Sequence, residues 1–357
     1  MSIERLRENI DSLDAQLVKL LNKRALLTQK IGQHKRETGK MVYVPDREKE
    51  VLDRIASLNT GPMSRTSLEA IYAEIMSSSL SLEKGVSIAY LGPEWTFTHQ
   101  ASVKKFGSSV NYIPCHSVSD IFTEVENGRC DYGVAPVENS TEGAIYHTLD
   151  KFIDSDLKIC SEILLKISLH LLSKENHLDS IRTIYSKAEA FGQCRQWIET
   201  HLPKAQLEAV PSTAFGAEKA SQSPHSACIA SKLVANSLGL RVVVPDIQDN
   251  SNNVTRFLVL CKEYAKPTGK DKTSLVISIQ DQPGALKKVL EPLYKLSLNL
   301  TKIESRPSKR KNWEYFFFID LDGHIDQPKI KKALLQIQKV CSFVKILGSY
   351  PISNSIK

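Results

Sequence analysis

From Ile3 to Ile31 apolar residues fall at 3, 6, 10, 13, 17 and 20, skip 24, and resume at 27 and 31. This heptad-like seam predicts one long amphipathic helix. The skipped position is Arg24. A guanidinium on a packing face is costly to desolvate unless an anion meets it, so the seam predicts a pocket for an anion. Lys35 lies eleven residues on, about three turns along and roughly 20° around a 3.6-residue helix, so it projects from the same face. After a break at Gly39 to Tyr43, Pro45 and Asp46 start a second helix. Its stripe runs through Val51, Leu52, Ile55 and Leu58, and Arg47 and Glu48 extend it by a turn. Ser64 caps a third helix whose inner face reads Leu68, Ile71, Tyr72, Ile75, Ser79 and Leu82, with Glu83 four residues after Ser79. Each of the three helices carries polar groups on its core side, where an ordinary bundle keeps them out. Arg7 also flanks the seam, but about 25 Å from Arg24. It cannot reach the same pocket but could serve one in a second copy, so the spacing favours a helical homodimer with shared sites.

From Gly85 the pattern changes to strands alternating with helices: a strand over Val86 to Leu91, a helix to about Phe106, a strand near Val110 to Ile113, a helix from Ser117 and a strand from Tyr132 to Val137. This predicts an α/β region with a largely parallel sheet, whose strand-to-helix turns are the usual ligand sites. The turns Gly92 to Thr98, Pro136 to Gly143 and Asn252 to Phe257 are rich in hydroxyls and amides. Such groups suit a carboxylate ligand and are equally good helix caps. Ala265 to Lys272 reads as a linker. Beyond it come a strand (Ser274 to Ile279), a helix (Pro283 to Leu296), two strands (Leu300 to Ser305, Trp313 to Leu321), a helix (Gln327 to Val340) and a last strand (Phe343 to Leu347). That order is βαββαβ, the ferredoxin-like arrangement. Pro283 then Gly284 at a helix start leaves N–H groups free for a small zwitterion.

Composition narrows this picture. A chain of 357 residues has room for two or three domains. Its seven cysteines are scattered, odd in number and never spaced C-x-x-C, which argues against a disulfide framework or a zinc site and suits a reducing cytoplasm. The start lacks a signal-peptide core, and no run reaches the ~18 apolar residues of a membrane span. The net charge of +7 raises the question of nucleic acid, but the excess is local: after residue 265, 17 Lys and Arg face 8 Asp and Glu. The cluster Lys309-Arg310-Lys311 reads as a solvated loop. His99, His116 and His147 form no ligand-spaced pair and read as surface or supporting residues.

Three resemblances join these patterns. Leu6-Arg7-Glu8-Asn9-Ile10-Asp11-Ser12-Leu13-Asp14, Leu20 to Arg24, Gly32-Gln33-His34-Lys35, Asp46-Arg47-Glu48 and Ser79 to Glu83 resemble the all-helical chorismate mutase domain, over residues 1–84. The resemblance implies that Arg7 of a partner copy, Arg24 and Arg47 hold the two carboxylates of chorismate. It places Lys35 and Glu83 at the ether oxygen, Glu48 near the ring hydroxyl and Ser79 near a carboxylate. Some members carry an acid where this chain has Val44. The Claisen rearrangement needs no nucleophile or cofactor, only a compact conformer and donors aimed at the oxygen that gains charge. Lys35 is such a donor; Glu83 is one only when protonated.

The three polar turns, with Tyr185-Ser186 and Phe191-Gly192-Gln193-Cys194-Arg195, resemble prephenate dehydratase over residues 86–264. This implies two α/β lobes like those of periplasmic binding proteins, with prephenate between them. Thr255 would be the essential hydroxyl, with Asn139, Ser140, Ser186 and Gln193 lining the site and Arg256 beside it. Three positions depart from the family: Trp95 replaces a usual glycine, Tyr146 a common asparagine, and Lys187-Ala188 a frequent His-Pro. Trp95 either occupies a positive-φ site or covers the cleft. Over residues 273–351, Asp281 to Leu286, Glu304-Ser305-Arg306-Pro307 and Trp313 to Phe318 resemble the ACT regulatory domain. Gly284, Ala285, Leu286, Glu304, Ser305, Arg306 and Pro307 would bind phenylalanine between two such domains.

In this order the three resemble the bifunctional P-proteins of phenylalanine synthesis. The expected path runs from chorismate through prephenate to phenylpyruvate, carbon dioxide and water, without metal or nucleotide cofactor. Phenylalanine would be the feedback ligand, with no nucleic-acid or membrane partner. Three alternatives stay open: one activity alone, arogenate in place of prephenate, or a non-catalytic sensor of aromatic metabolites. No G-x-G-x-x-G follows a strand, which separates this chain from a mutase-dehydrogenase fusion.

Overall fold

The computed structural model describes residues 2–37, 44–280, 282–307 and 315–353. The break at Gly39 to Tyr43, Asp281, the Lys309-Arg310-Lys311 cluster and Trp313 lie outside these. Helices α1 (Ile3–Glu37), α2 (Pro45–Leu58) and α3 (Arg65–Lys84) form the first segment. Proline opens α2, where its missing N–H costs nothing, and the Ser64 side chain caps α3 by accepting from Ser67 N–H. The seam of α1, expected as a packing face, is not buried within the chain, since Ile3, Leu6, Ile10, Leu13, Leu17 and Leu20 are 46–62% exposed. The face turned toward α3 is instead Arg24, Thr28, Gly32 and Lys35, spaced at helical repeats. A Cβ on Gly32 would lie 2.8 Å from Glu83 Cγ, so glycine there lets α1 and α3 close together.

The α/β segment folds into two sheets. The first lobe runs β1 (Ser87–Leu91), α4 (Phe97–Phe106), β2 (Asn111–Cys115), α5 (Val118–Glu126), β3 (Tyr132–Asn139), β4 (Gly143–Ala144), α6 (Tyr146–Asp154) and β5 (Lys158–Lys166). The second runs β6 (His170–Ser173), β7 (Thr183–Ser186), α7 (Ala188–Gln193), α8 (Arg195–His201), β8 (Gln206–Ala209), α9 (Thr213–Gln222), β9 (Ser226–Ala230), α10 (Lys232–Ser237) and β10 (Arg241–Val244). The chain then returns as β11 (Val254–Cys261), inserted between β3 and β5 and antiparallel to both. Sheet orders are β2-β1-β3-β11-β5, with β4 beside β3, and β10-β6-β9-β7-β8. Strands buried on both faces, such as β9 and most of β3, are near-continuous apolar runs. Ser117 and Asp120 form a reciprocal capping box at α5.

The last segment is β12 (Asp271–Ile279), α11 (Ala285–Lys295), β13 (Leu300–Pro307), β14 (Tyr315–Asp322), α12 (Pro328–Gln338) and β15 (Phe343–Pro351), with sheet order β13-β14-β12-β15. The linker ends earlier than expected. Asp271 and Lys272 already belong to β12, and the buried Asp271 carboxylate accepts from Thr268 and Gly269 N–H. This sheet packs on the first lobe, so Val276, Phe318 and Leu347 share a core with Phe122, Phe152 and Leu258. Among the described residues no helix is long and apolar enough to cross a membrane.

Candidate active sites

The helical segment gathers its inward polar residues around one cavity of about 280 Å³, lined by Arg24, Lys35, Arg47, Glu48, Ser79 and Glu83. Arg24 Nη1 donates to Ser79 Oγ at 2.5 Å, and Lys35 Nζ stands 3.3 Å from Glu83 Oε2. Glu83 is 6% exposed, and the Lys35 ammonium faces its carboxyl. Arg47 sits at the rim, its guanidinium on Glu50 at 2.8 Å. Val44, just before α2, lines the cavity with an apolar side chain. Arg7 does not line it and is exposed near the far end of α1. Lys105 and Phe106 reach the cavity from the α/β segment, which helical spacing within the first segment does not predict.

A second polar cluster is fixed by strand register. Thr255 on β11 pairs directly with Asn139 on β3, so their side chains meet on one face. Asn139 Oδ1 accepts from Thr141 N–H, Thr141 Oγ1 and Glu142 N–H. That turn aims its amide nitrogen the other way, to Thr255 Oγ1 at 2.8 Å and Asn253 Oδ1 at 2.7 Å. Asn253 in turn donates to Gln193 Oε1 at 2.8 Å, and Gln193 donates to Glu142 at 3.3 Å. Gln193 belongs to the second lobe, so the cluster spans the cleft. Asn253 was not singled out from the sequence; standing two residues before Thr255 on the same run, it shares that residue's side of the chain.

Three expected members of this cluster stand elsewhere. Arg256 points to the opposite face of β11, as alternation along a strand requires, and binds Glu162 at 2.8 Å, Asp320 at 2.6 Å and the Tyr350 hydroxyl at 2.8 Å. Ser186 is fully buried and donates to Ile229 O. Ser140 bridges backbone groups, donating to Asn252 O and accepting from Val254 N–H. Trp95 occupies a positive-φ position. Its φ is 64°, and its indole packs on the second-lobe cluster around Leu172 and Val234.

Comparison with known proteins places the whole chain in a family. Residues 6–84 match the family model for chorismate mutase type II, 88–265 that for prephenate dehydratase and 273–338 that for the ACT domain. Over 353 residues the chain is 46% identical to a bifunctional chorismate mutase/prephenate dehydratase of Aquifex aeolicus, covering 98% of each chain. It belongs to the bifunctional chorismate mutase/prephenate dehydratase family. A relative of the same description from Pseudomonas aeruginosa is 42% identical over 98% of this chain and 97% of its own. The prephenate dehydratase of Arthrobacter aurescens, solved in complex with L-Phe, is 35% identical, with a TM-score of 0.69 over 75% of this chain and 90% of that one. The chain is therefore an isomerase and a lyase in one polypeptide, with an ACT domain at its end.

Within the ACT domain, Gly284, Ala285 and Leu286 line a cavity of about 260 Å³ with Gln282 and Tyr315. Glu304, Ser305, Arg306 and Pro307 do not line it. They lie on β13, the sheet edge, and Arg306 reaches into the dehydratase domain. Its guanidinium holds Asp150 at 2.6 and 3.1 Å and stacks 4.1 Å over the Tyr146 ring. Arg306 therefore pairs with Asp150, not with its neighbour Glu304, and Tyr146 serves as a docking surface for the ACT domain.

Proposed function

We propose that the cavity between α1, α2 and α3 is the chorismate site and that the Thr255 cluster is the prephenate site. In the first, Arg24 and Arg47 meet the substrate carboxylates beside Ser79, Glu48 takes the ring hydroxyl, and Lys35 and Glu83 flank the ether oxygen. A dianion suits a cavity where the cations Arg24, Lys35, Arg47 and Lys105 outnumber the carboxylates Glu48 and Glu83. Lys35 opposes the charge that develops as the C–O bond lengthens, while the walls hold the compact conformer. Arg7 of a second copy completes the site. The exposed apolar stripe of α1 supports a homodimer, since a contiguous apolar face of that length marks an interface.

In the second site, loss of carbon dioxide from prephenate sends an electron pair into the ring and expels the ring hydroxyl. Thr255 donates a hydrogen bond to that departing oxygen. Its own oxygen already accepts from Asn139, which polarises the hydroxyl, and among the described residues no acceptor takes its proton. That one-sided bonding is the observation that carries the dehydratase assignment. Phenylalanine is the allosteric ligand, held at the Gly284 cavity and at the β13 edge of a second ACT domain. We divide the chain after residues 84, 264 and 270 into mutase, dehydratase, linker and ACT units, and place it in the cytoplasm. Separate assays of two variants test the sites. Thr255→Val is expected to lower dehydratase kcat by about 10²-fold or more and to spare mutase turnover. Arg24→Ala is expected to do the reverse. Dehydratase turnover retained in Thr255→Val makes that hydroxyl a simple turn cap.

A further inference from the structure

The mutase cavity is closed on one side by a different domain. Lys105 and Phe106 are the last two residues of α4, in the dehydratase lobe, and both line the cavity. The approach is built into the chain. Gly107 follows with φ 70°, and a Cβ there would lie 2.4 Å from Ser77 Cβ on α3, so glycine alone lets the end of α4 press on the mutase helix. The next residues fasten it. Ser108 donates to Glu74 Oε2 through N–H at 3.1 Å and Oγ at 2.7 Å, and Ser109 N–H donates to Ser77 Oγ at 2.9 Å. Lys105 Nζ thereby stands 2.6 Å from Glu48 Oε2, with the two side chains only 21% and 14% exposed.

Glu48 is a carboxylate facing a cavity meant for a dianion, so unneutralised it repels the substrate. An ammonium at 2.6 Å cancels that charge and fixes the carboxylate's rotamer, while a carboxylate has acceptor positions enough to take a substrate hydroxyl as well. The geometry points to Lys105 as a positioning residue of the mutase, supplied by the dehydratase domain and acting through Glu48, so that docking of the two domains strengthens substrate binding in the isomerase site. This rests on the reading of the cavity as the chorismate site.

The test uses the full-length chain, with mutase kcat and KM measured on chorismate and dehydratase turnover of supplied prephenate as the folding control. Lys105→Met is expected to raise the mutase KM about ten-fold, the scale of one charge-assisted hydrogen bond, with a smaller change in kcat and dehydratase turnover intact. Lys105→Arg is expected to restore most of the loss. In a Glu48→Gln background, Lys105→Met should add little, because its route is already gone. An unchanged KM in Lys105→Met overturns the inference, as does full additivity with Glu48→Gln. A parallel fall of both activities in Lys105→Met that Lys105→Arg does not restore also overturns it. Arg24→Ala separates the two possible failures. Mutase turnover retained in Arg24→Ala removes the cavity reading itself, whereas turnover lost in Arg24→Ala but intact in Lys105→Met removes only the role of Lys105.

Discussion

At Glu83 a carboxyl and the Lys35 ammonium share the position where the mutase substrate's ether oxygen is expected. The ammonium donates in its ordinary form; the carboxyl donates only when protonated. Glu83→Gln, which puts an N–H donor there, is therefore expected to keep mutase turnover, and Glu83→Ala to lower kcat about ten-fold or more. An unchanged kcat in Glu83→Ala removes Glu83 from the mechanism. Arg24, Lys35, Glu48, Ser79 and Glu83 were legible in the sequence because helical spacing fixes which residues share a face. Thr255, Asn139 and Gln193 were legible only by resemblance, since a hydroxyl or amide in a turn is as good a cap as a ligand. Arg256 was misplaced for a physical reason: adjacent strand residues face opposite ways, so the neighbour of Thr255 cannot enter the same cleft.

The turn from β1 into α4 shows how one element holds its geometry. Thr96 caps α4, accepting from His99 N–H and donating to Leu91 O. His99 Nδ1 accepts from Trp95 N–H at 3.0 Å, and its ring stacks on Tyr90 at 4.8 Å. Burial holds His99 below the ordinary histidine value, against the opposing pull of Glu94. His170 is lowered by burial too, and its Nδ1 accepts from Asp246 N–H. A histidine depressed in the folded state contributes stability that is present above the unfolded value of about 6.5 and is lost as pH falls through the folded one. Thermal midpoints are thus expected to drop between about pH 7 and pH 5, and His99→Gln to reduce the drop; an equal drop in that variant removes His99 as a source. Local chemistry of this kind was readable in part. Ser64 and Ser117 were read as helix starts, and the βαββαβ order emerged from alternation alone. What no local pattern contains is the element on the far side, which is why Lys105 reaching the mutase cavity and Arg306 reaching Asp150 were not foreseen.

Across the whole molecule, the domains are joined by buried polar contacts as well as apolar ones. Arg256 ties the strand that carries Thr255 to Asp320 and Tyr350 of the ACT sheet, with Glu162 bridging Arg256 and Lys272. Removing one partner of a buried pair leaves the others uncompensated, so Arg256→Met is expected to cost about 3–5 kcal/mol in urea unfolding; a loss near zero would mean that the network is solvated. Arg306 links the ACT edge strand to α6, which follows directly on the Asn139 turn. Arg306→Ala is expected to weaken inhibition by phenylalanine while dehydratase turnover persists, and Gly284→Val, in the cavity proposed for phenylalanine, to abolish it; undiminished inhibition in both places the effector elsewhere. One time course bears most directly on the whole account: purified full-length protein given chorismate, with prephenate and phenylpyruvate followed separately in the presence and absence of phenylalanine. Prephenate should appear first and phenylpyruvate after it, with phenylalanine suppressing the second product. Failure of either product to form, or phenylpyruvate accumulating at the same rate whatever the phenylalanine concentration, contradicts it.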